Sequence, residues 1–146
     1  MKKLNLADVT EKPADHIATM QIHYPTLKGN VQAGVDAIEK ALHAVGNNKA
    51  IRFLIIRFDD PNLNDGQGLH NYYPEPLDVR VISKWEKILS YIERLDKVTM
   101  AVLPPHVNDA TLQIALVTDF NYCTPDTQFK LSAIQSGALP GMAEFR

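Results

Sequence analysis

Apolar residues along the chain switch between two periods. Val35, Ile38, Leu42 and Val45 step by three, four and three, with Glu39, Lys40 and His43 elsewhere on the wheel. That spacing predicts an amphipathic helix, stopped by "GNN" at 46–48. A longer stripe of Val81, Ile82, Trp85, Ile88, Leu89, Ile92 and Leu95 predicts the longest helix, with Asp78 as its N-cap. Between them "IRFLIIRF", Ile51 to Phe58, is β-branched and aromatic and predicts a buried strand. "HIATMQIHYP" carries Ile17, Met20 and Ile22 and predicts a short strand closed by Pro25. "VTMAVLPP" predicts another, closed by two prolines. "VNDATLQIALVTD", Val107 to Asp119, predicts a third helix, with Asn108 and Asp109 as caps and Leu112, Ala115 and Leu116 at helical spacing. "FNYCTP" and "TQFKLS" predict further strands. Residues 1–15 are polar, contain Pro13, and read as a loose lead-in to a domain over 16–146.

Strands and helices therefore alternate, which predicts an α/β domain with largely parallel strands and helices outside. Ligands of such sheets bind beyond the carboxyl ends of the strands. The long loop "DDPNLNDGQGLHNYYPEP" and the "PPHVND" loop both leave strands at that end. A loop of that length inside a compact domain is usually functional. The small residues that open the third helix leave backbone N–H groups aimed at something negative.

Composition narrows the function classes. The 146 residues are 45% hydrophobic and 22% charged, as in one ordinary globular domain. A net charge of −2 and a pI near 6.2 argue against non-specific nucleic-acid binding. The N-terminus starts basic but lacks the apolar core of a secretion signal, and no stretch is long enough to span a membrane. The lone Cys123 rules out an intrachain disulfide and fits a reducing, cytoplasmic setting. Within "FNYCTPD" it reads as a buried strand residue rather than a nucleophile.

Four segments carry a family resemblance. "IATMQIHYP", a helix and "AIRFLIIRF" resemble an opening strand with its corner, then helix, then strand. "DGQGLHN" is a glycine-containing loop before a long helix. "VNDATLQIALVTDFNYCTPDTQFKL" resembles a turn, an apolar helix and a strand, and "GALPGMAEFR" a Pro-Gly segment. In this order they resemble the crotonase, or enoyl-CoA hydratase/isomerase, superfamily. The resemblance implies a crotonase-like ββα spiral of which this chain holds the N-terminal core only, without the C-terminal helices. "SKWEKILSYIERLDKVTMAV" also resembles a helix of the auxiliary crotonase-like proteins of dihydroxyphenylglycine biosynthesis.

The resemblance implies that an acyl thioester, on CoA or a carrier-protein pantetheine arm, binds with its carbonyl in a backbone oxyanion hole. No other cofactor is implied, and the implied assembly is a homo-trimer or a hetero-oligomer with another crotonase. One donor aligns with Leu69, after Gly68, and the other with Ala110 at the start of the third helix. Donors preorganised around the developing oxyanion favour the transition state. Lys28, near the first corner, is the candidate contact for a nucleotide phosphate.

The departures from the family pattern matter more. The triple-glycine turn is replaced by Asp109, Ala110 and Thr111, which resist the conformations open to glycine. Asp109 also brings a carboxylate beside the expected oxyanion. The two glutamates of a hydratase align with Gln113 and Ala133, neither of which can act as a general base. His70, or Asp109 itself, is then the candidate base, and Gln113 a candidate for orienting a water or the thioester. The plainer reading of His70 is a solvated loop histidine. His106 reads as structural, Asp119 as a cap or packing contact, and Tyr72 and Tyr73 as pocket-lining or loop-anchoring. The alternative to an enzyme is a non-catalytic accessory subunit that pairs with an active homologue.

Overall fold

A computed structural model describes residues 7–23, 31–59, 79–107 and 109–129. Its main sheet has the order β1-β2-β3-β4-β6, from Ala7–Lys12, Ile17–Ile22, Phe53–Phe58, Val98–Val102 and Phe120–Tyr122. β2, β3, β4 and β6 are parallel, and β1 is antiparallel to β2. Helices α1 (Val31–Asn47), α2 (Val79–Arg94) and α3 (Asp109–Val117) make the crossovers between the parallel strands. A small second sheet pairs β5 (His106–Val107) with β7 (Gln128–Phe129) in parallel.

Alternation along the strands decides which face the helices cover. Ala18, Met20 and Ile22 on β2, Leu54 and Ile56 on β3, and Ala101 on β4 are at most 2% exposed. They pack with the expected stripes of α1 (Val35, Ile38, Leu42, Val45) and α2 (Val81, Trp85, Ile88, Leu89, Ile92). The two helices are in register with their predictions because burial at a period of 3.6 is visible without a partner. Burying one such aliphatic side chain contributes about 1.5–3 kcal/mol.

Three expectations are corrected. Residues 7–12 do not form a loose lead-in: Ala7–Lys12 pairs along its whole length with Ile17–Ile22. Its sequence, ADVTEK, is polar because an edge strand with exposed residues needs hydrogen bonds more than burial. Cys123 is exposed, just beyond β6, rather than buried in a strand. The α3 stripe is rotated: Ala115 is buried as expected, but Leu116 is 50% exposed, while Ala110, Gln113 and Ile114 enter the core.

The turns at the amino ends of the strands are held by polar contacts. Lys97 Nζ donates to the carbonyls of Asn48 (3.1 Å) and Ile51 (2.8 Å), joining the turns that precede β3 and β4. Asp119 Oδ2 accepts from the Thr99 N–H (2.8 Å) and Thr99 Oγ1 (3.1 Å). This bears out its reading as a packing contact, and it anchors the end of α3 beside the start of β4.

Candidate functional site

The Asp119–Thr99 contacts orient α3. Its carboxyl end lies at the amino end of β4, so its amino end lies toward the carboxyl ends of the parallel strands. Ala110 is the second residue of α3 and 4% exposed. Its N–H belongs to the first turn, which has no intrahelical acceptor, and the helix dipole adds positive potential there. The candidate donor thus stands at the end of the sheet where α/β folds bind ligands.

The side chains around it face inward. Asp109 is 3% exposed and Thr111 is fully buried. His16 is the sole non-glycine residue with positive φ among the described residues, so Asp109, Ala110 and Thr111 require no glycine-only conformation. The conformational objection to this turn falls away, leaving the space that the added side chains occupy and the Asp109 carboxylate. Asp109 as the opening residue of α3 suits the positive end of the helix dipole.

Gln113 lies one turn after Ala110 and is fully buried. Its Oε1 accepts a 2.6 Å hydrogen bond from Trp85 Nε1 of α2. A buried indole N–H needs an acceptor, and Gln113 supplies it. That requirement was the signal in the sequence; the pairing across 28 positions was not readable from it. A neutral amide oxygen occupied in this way has no basicity to offer a substrate.

Gly68, Leu69, His70, Tyr72, Tyr73, Lys28 and Ala133 lie outside the described residues. His106 is part-buried at the start of β5, consistent with a structural place in the second sheet. A cleft lined by Glu39, Leu42, His43, Lys87, Ile88 and Tyr91 lies between α1 and α2. It sits toward the carboxyl halves of those helices, away from the strand ends where Ala110 stands.

A second polar cluster marks the carboxyl ends of β2 and β3, and sequence reasoning missed it. His23 directly follows β2, and Asp59 directly follows β3. His23 Nδ1 is 2.9 Å from Asp59 Oδ2, and Nε2 is 2.8 Å from Asp8 Oδ2 on β1. Gln21 Nε2 donates to Asp59 Oδ1 at 2.8 Å. Burial alone pushes the imidazole pKa down. The hydrogen bonds to Asp59 and Asp8 and the attraction of their charges outweigh it, holding the pKa above its ordinary 6.5.

No family model matches the chain. A curated enoyl-CoA hydratase of Amycolatopsis orientalis is 33% identical over 70 residues, which is 48% of this chain and 32% of that protein. Solved structures match far more of the chain. Pseudomonas aeruginosa DspI superposes over 100% of it and 60% of its own length, with a TM-score of 0.77 and 13% identity. An enoyl-CoA hydratase from Shewanella pealeana covers 98% of this chain and 56% of its own, with a TM-score of 0.75 and 13% identity. A Geobacillus kaustophilus enoyl-CoA hydratase covers 96% and 54%, with a TM-score of 0.74 and 19% identity. The chain spans under two thirds of each. With its largely parallel sheet, outer helices and second small sheet, it has the α/β crotonase-like fold over part of the length of those structures, and the resemblance read from its sequence is borne out at that level.

Proposed function

We propose that the chain binds an acyl thioester, carried by CoA or a carrier-protein pantetheine arm, and does not hydrate it. The observation that carries this reading is the first turn of α3: a backbone N–H at Ala110 above the strand ends, followed one turn later by a glutamine bonded into the core. A thioester carbonyl needs donors aimed at its oxygen and no side-chain charge. Hydration further needs groups that move protons, which typically contribute 10²–10⁴-fold each. Gln113 and Ala133 supply neither. Leu69 is the second donor in this reading, Gly68 allows close approach, and Lys28 meets the phosphate end.

If the site is catalytic, its chemistry is of the enolate type, isomerisation or decarboxylation, with His70 or Asp109 as base. The burial of Gln113 and its bond to Trp85 favour a second reading, an accessory subunit assembled with an active crotonase homologue or with copies of itself. Titration with a non-reactive acyl-CoA, beside assays of crotonyl-CoA hydration and β,γ-enoyl isomerisation, tests both. Saturable binding without hydration supports the proposal, and turnover of the β,γ-enoyl substrate that is lost in His70→Ala supports an enzyme. Absence of binding, with a second crotonase co-purifying, supports the accessory reading. Rapid hydration of crotonyl-CoA would overturn the proposal.

A further inference from the structure

Three strands meet at His23. Asp8 comes from the antiparallel edge strand β1, His23 from the end of β2, and Asp59 from the end of β3. Both imidazole nitrogens face carboxylate oxygens, at 2.8 and 2.9 Å. An ionised carboxylate only accepts hydrogen bonds, and a neutral imidazole carries a single N–H. The full geometry therefore requires the imidazolium. Gln21 contributes an uncharged amide to Asp59. Arg57 stands opposite Gln21 in the register, placing a cation on the same face, which the two carboxylates outweigh.

We propose that His23 is a protonation-dependent fastener of the edge strand: as imidazolium it joins Asp59 and Asp8 at once, and as neutral imidazole it keeps Asp59 and releases Asp8. The choice of which carboxylate leaves follows from their exposure: the Asp59 side chain is 31% exposed, against 47% for Asp8, so water compensates Asp8 more readily. Asp8 sits beside Ala7 at the start of β1, opposite Gln21 and Ile22. Release therefore loosens that end of β1 and leaves the β2 edge less covered. Loss runs in the direction opposite to acid denaturation: docking is firm below pH 6.5 and weakens as pH rises through the folded value of His23. Strong acid, which protonates the carboxylates, undoes it again.

Imidazole NMR titration of the full chain, with amide exchange protection of β1 followed from pH 6 to pH 9, tests the proposal. The expected result is a His23 titration above 6.5 with both ring N–H groups present at pH 6. Protection at the Ala7–Val9 end should fall roughly two- to fivefold on deprotonation, as for a half-exposed ion pair, with β3 and β4 unchanged. Asp8→Asn should remove the pH dependence of β1 while His23 still titrates against Asp59. A His23 titration at or below 6.5, or β1 protection indifferent to pH in the unmodified chain, would overturn it.

Discussion

Two polar ties join distant parts of this chain, and they differ in what surrounds them. The Trp85–Gln113 bond links α2 to α3 inside the core, where Gln113 is fully buried and both groups are neutral. The His23–Asp8–Asp59 cluster links three strands at the rim, where every member is partly exposed and the bonds are ionic. Burial decides what each tie is worth. In the core, a group that loses its partner keeps its full desolvation cost. At the rim, water replaces a lost partner and the charge state sets the bond. The buried tie is therefore a structural commitment, and the rim tie is adjustable by pH. The buried tie also commits the Gln113 side chain to joining two helices.

The sharpest way to break this contrast is to put a charge at the buried tie. Gln113→Glu should destabilise the fold by about 3–4 kcal/mol at pH 7, because a core carboxyl has to remain protonated. With the folded pKa raised, the cost should shrink toward pH 4 and grow as pH rises through neutrality. Denaturant unfolding at several pH values measures it, and a variant as stable as the parent at pH 7 would show the site to be wetter than its burial implies. Removing the donor is milder. Trp85→Phe removes the indole donor from the buried Gln113 oxygen and should cost about 1–3 kcal/mol, equally at pH 6 and pH 9. Adding Gln113→Leu should recover part of that loss, which a double-mutant cycle reads directly.

The rim tie should give the smaller signal, and in the unmodified chain. The raised pKa of His23 means that its contribution is fully present below 6.5 and is lost as pH rises through the folded value. Stability of the unmodified chain should therefore fall by less than about 1 kcal/mol over that interval. His23→Gln should flatten the slope, and a slope that survives this substitution would assign it elsewhere. The weakest effect belongs to Lys84, which pairs with Asp36 and Glu39 across α1 and α2. Lys84→Ala should lower the thermal midpoint least of all, and the difference should vanish in molar salt.

Legibility in the sequence follows the same division. The stripes of α1 and α2 and the strands β2, β3 and β4 carry enough consecutive apolar positions to declare their buried faces. β1 was hidden because its residues are those of a polar edge, and only pairing with β2 makes ADVTEK a strand. On α3 the visible leucines misled: Leu116 faces out and Gln113 faces in. A helix buried on most sides has little periodicity to read. The candidate site was legible at Ala110, since a helix start follows from local residue types. His23 was passed over because one histidine at a strand end says nothing until its neighbours are known.

The sequence by itself determined the alternation of strands and helices, the α/β class and the absence of glutamate at positions 113 and 133. Those are local facts, carried by periodicity and residue type. Only the tertiary structure decided that Gln113 is bonded into the core, that Asp119 orients α3, and that His23 joins three strands. Each of those joins residues 15 to 36 positions apart. The physical reason is that a polar side chain takes its role from the partner burial presents to it, and that partner is chosen by the fold.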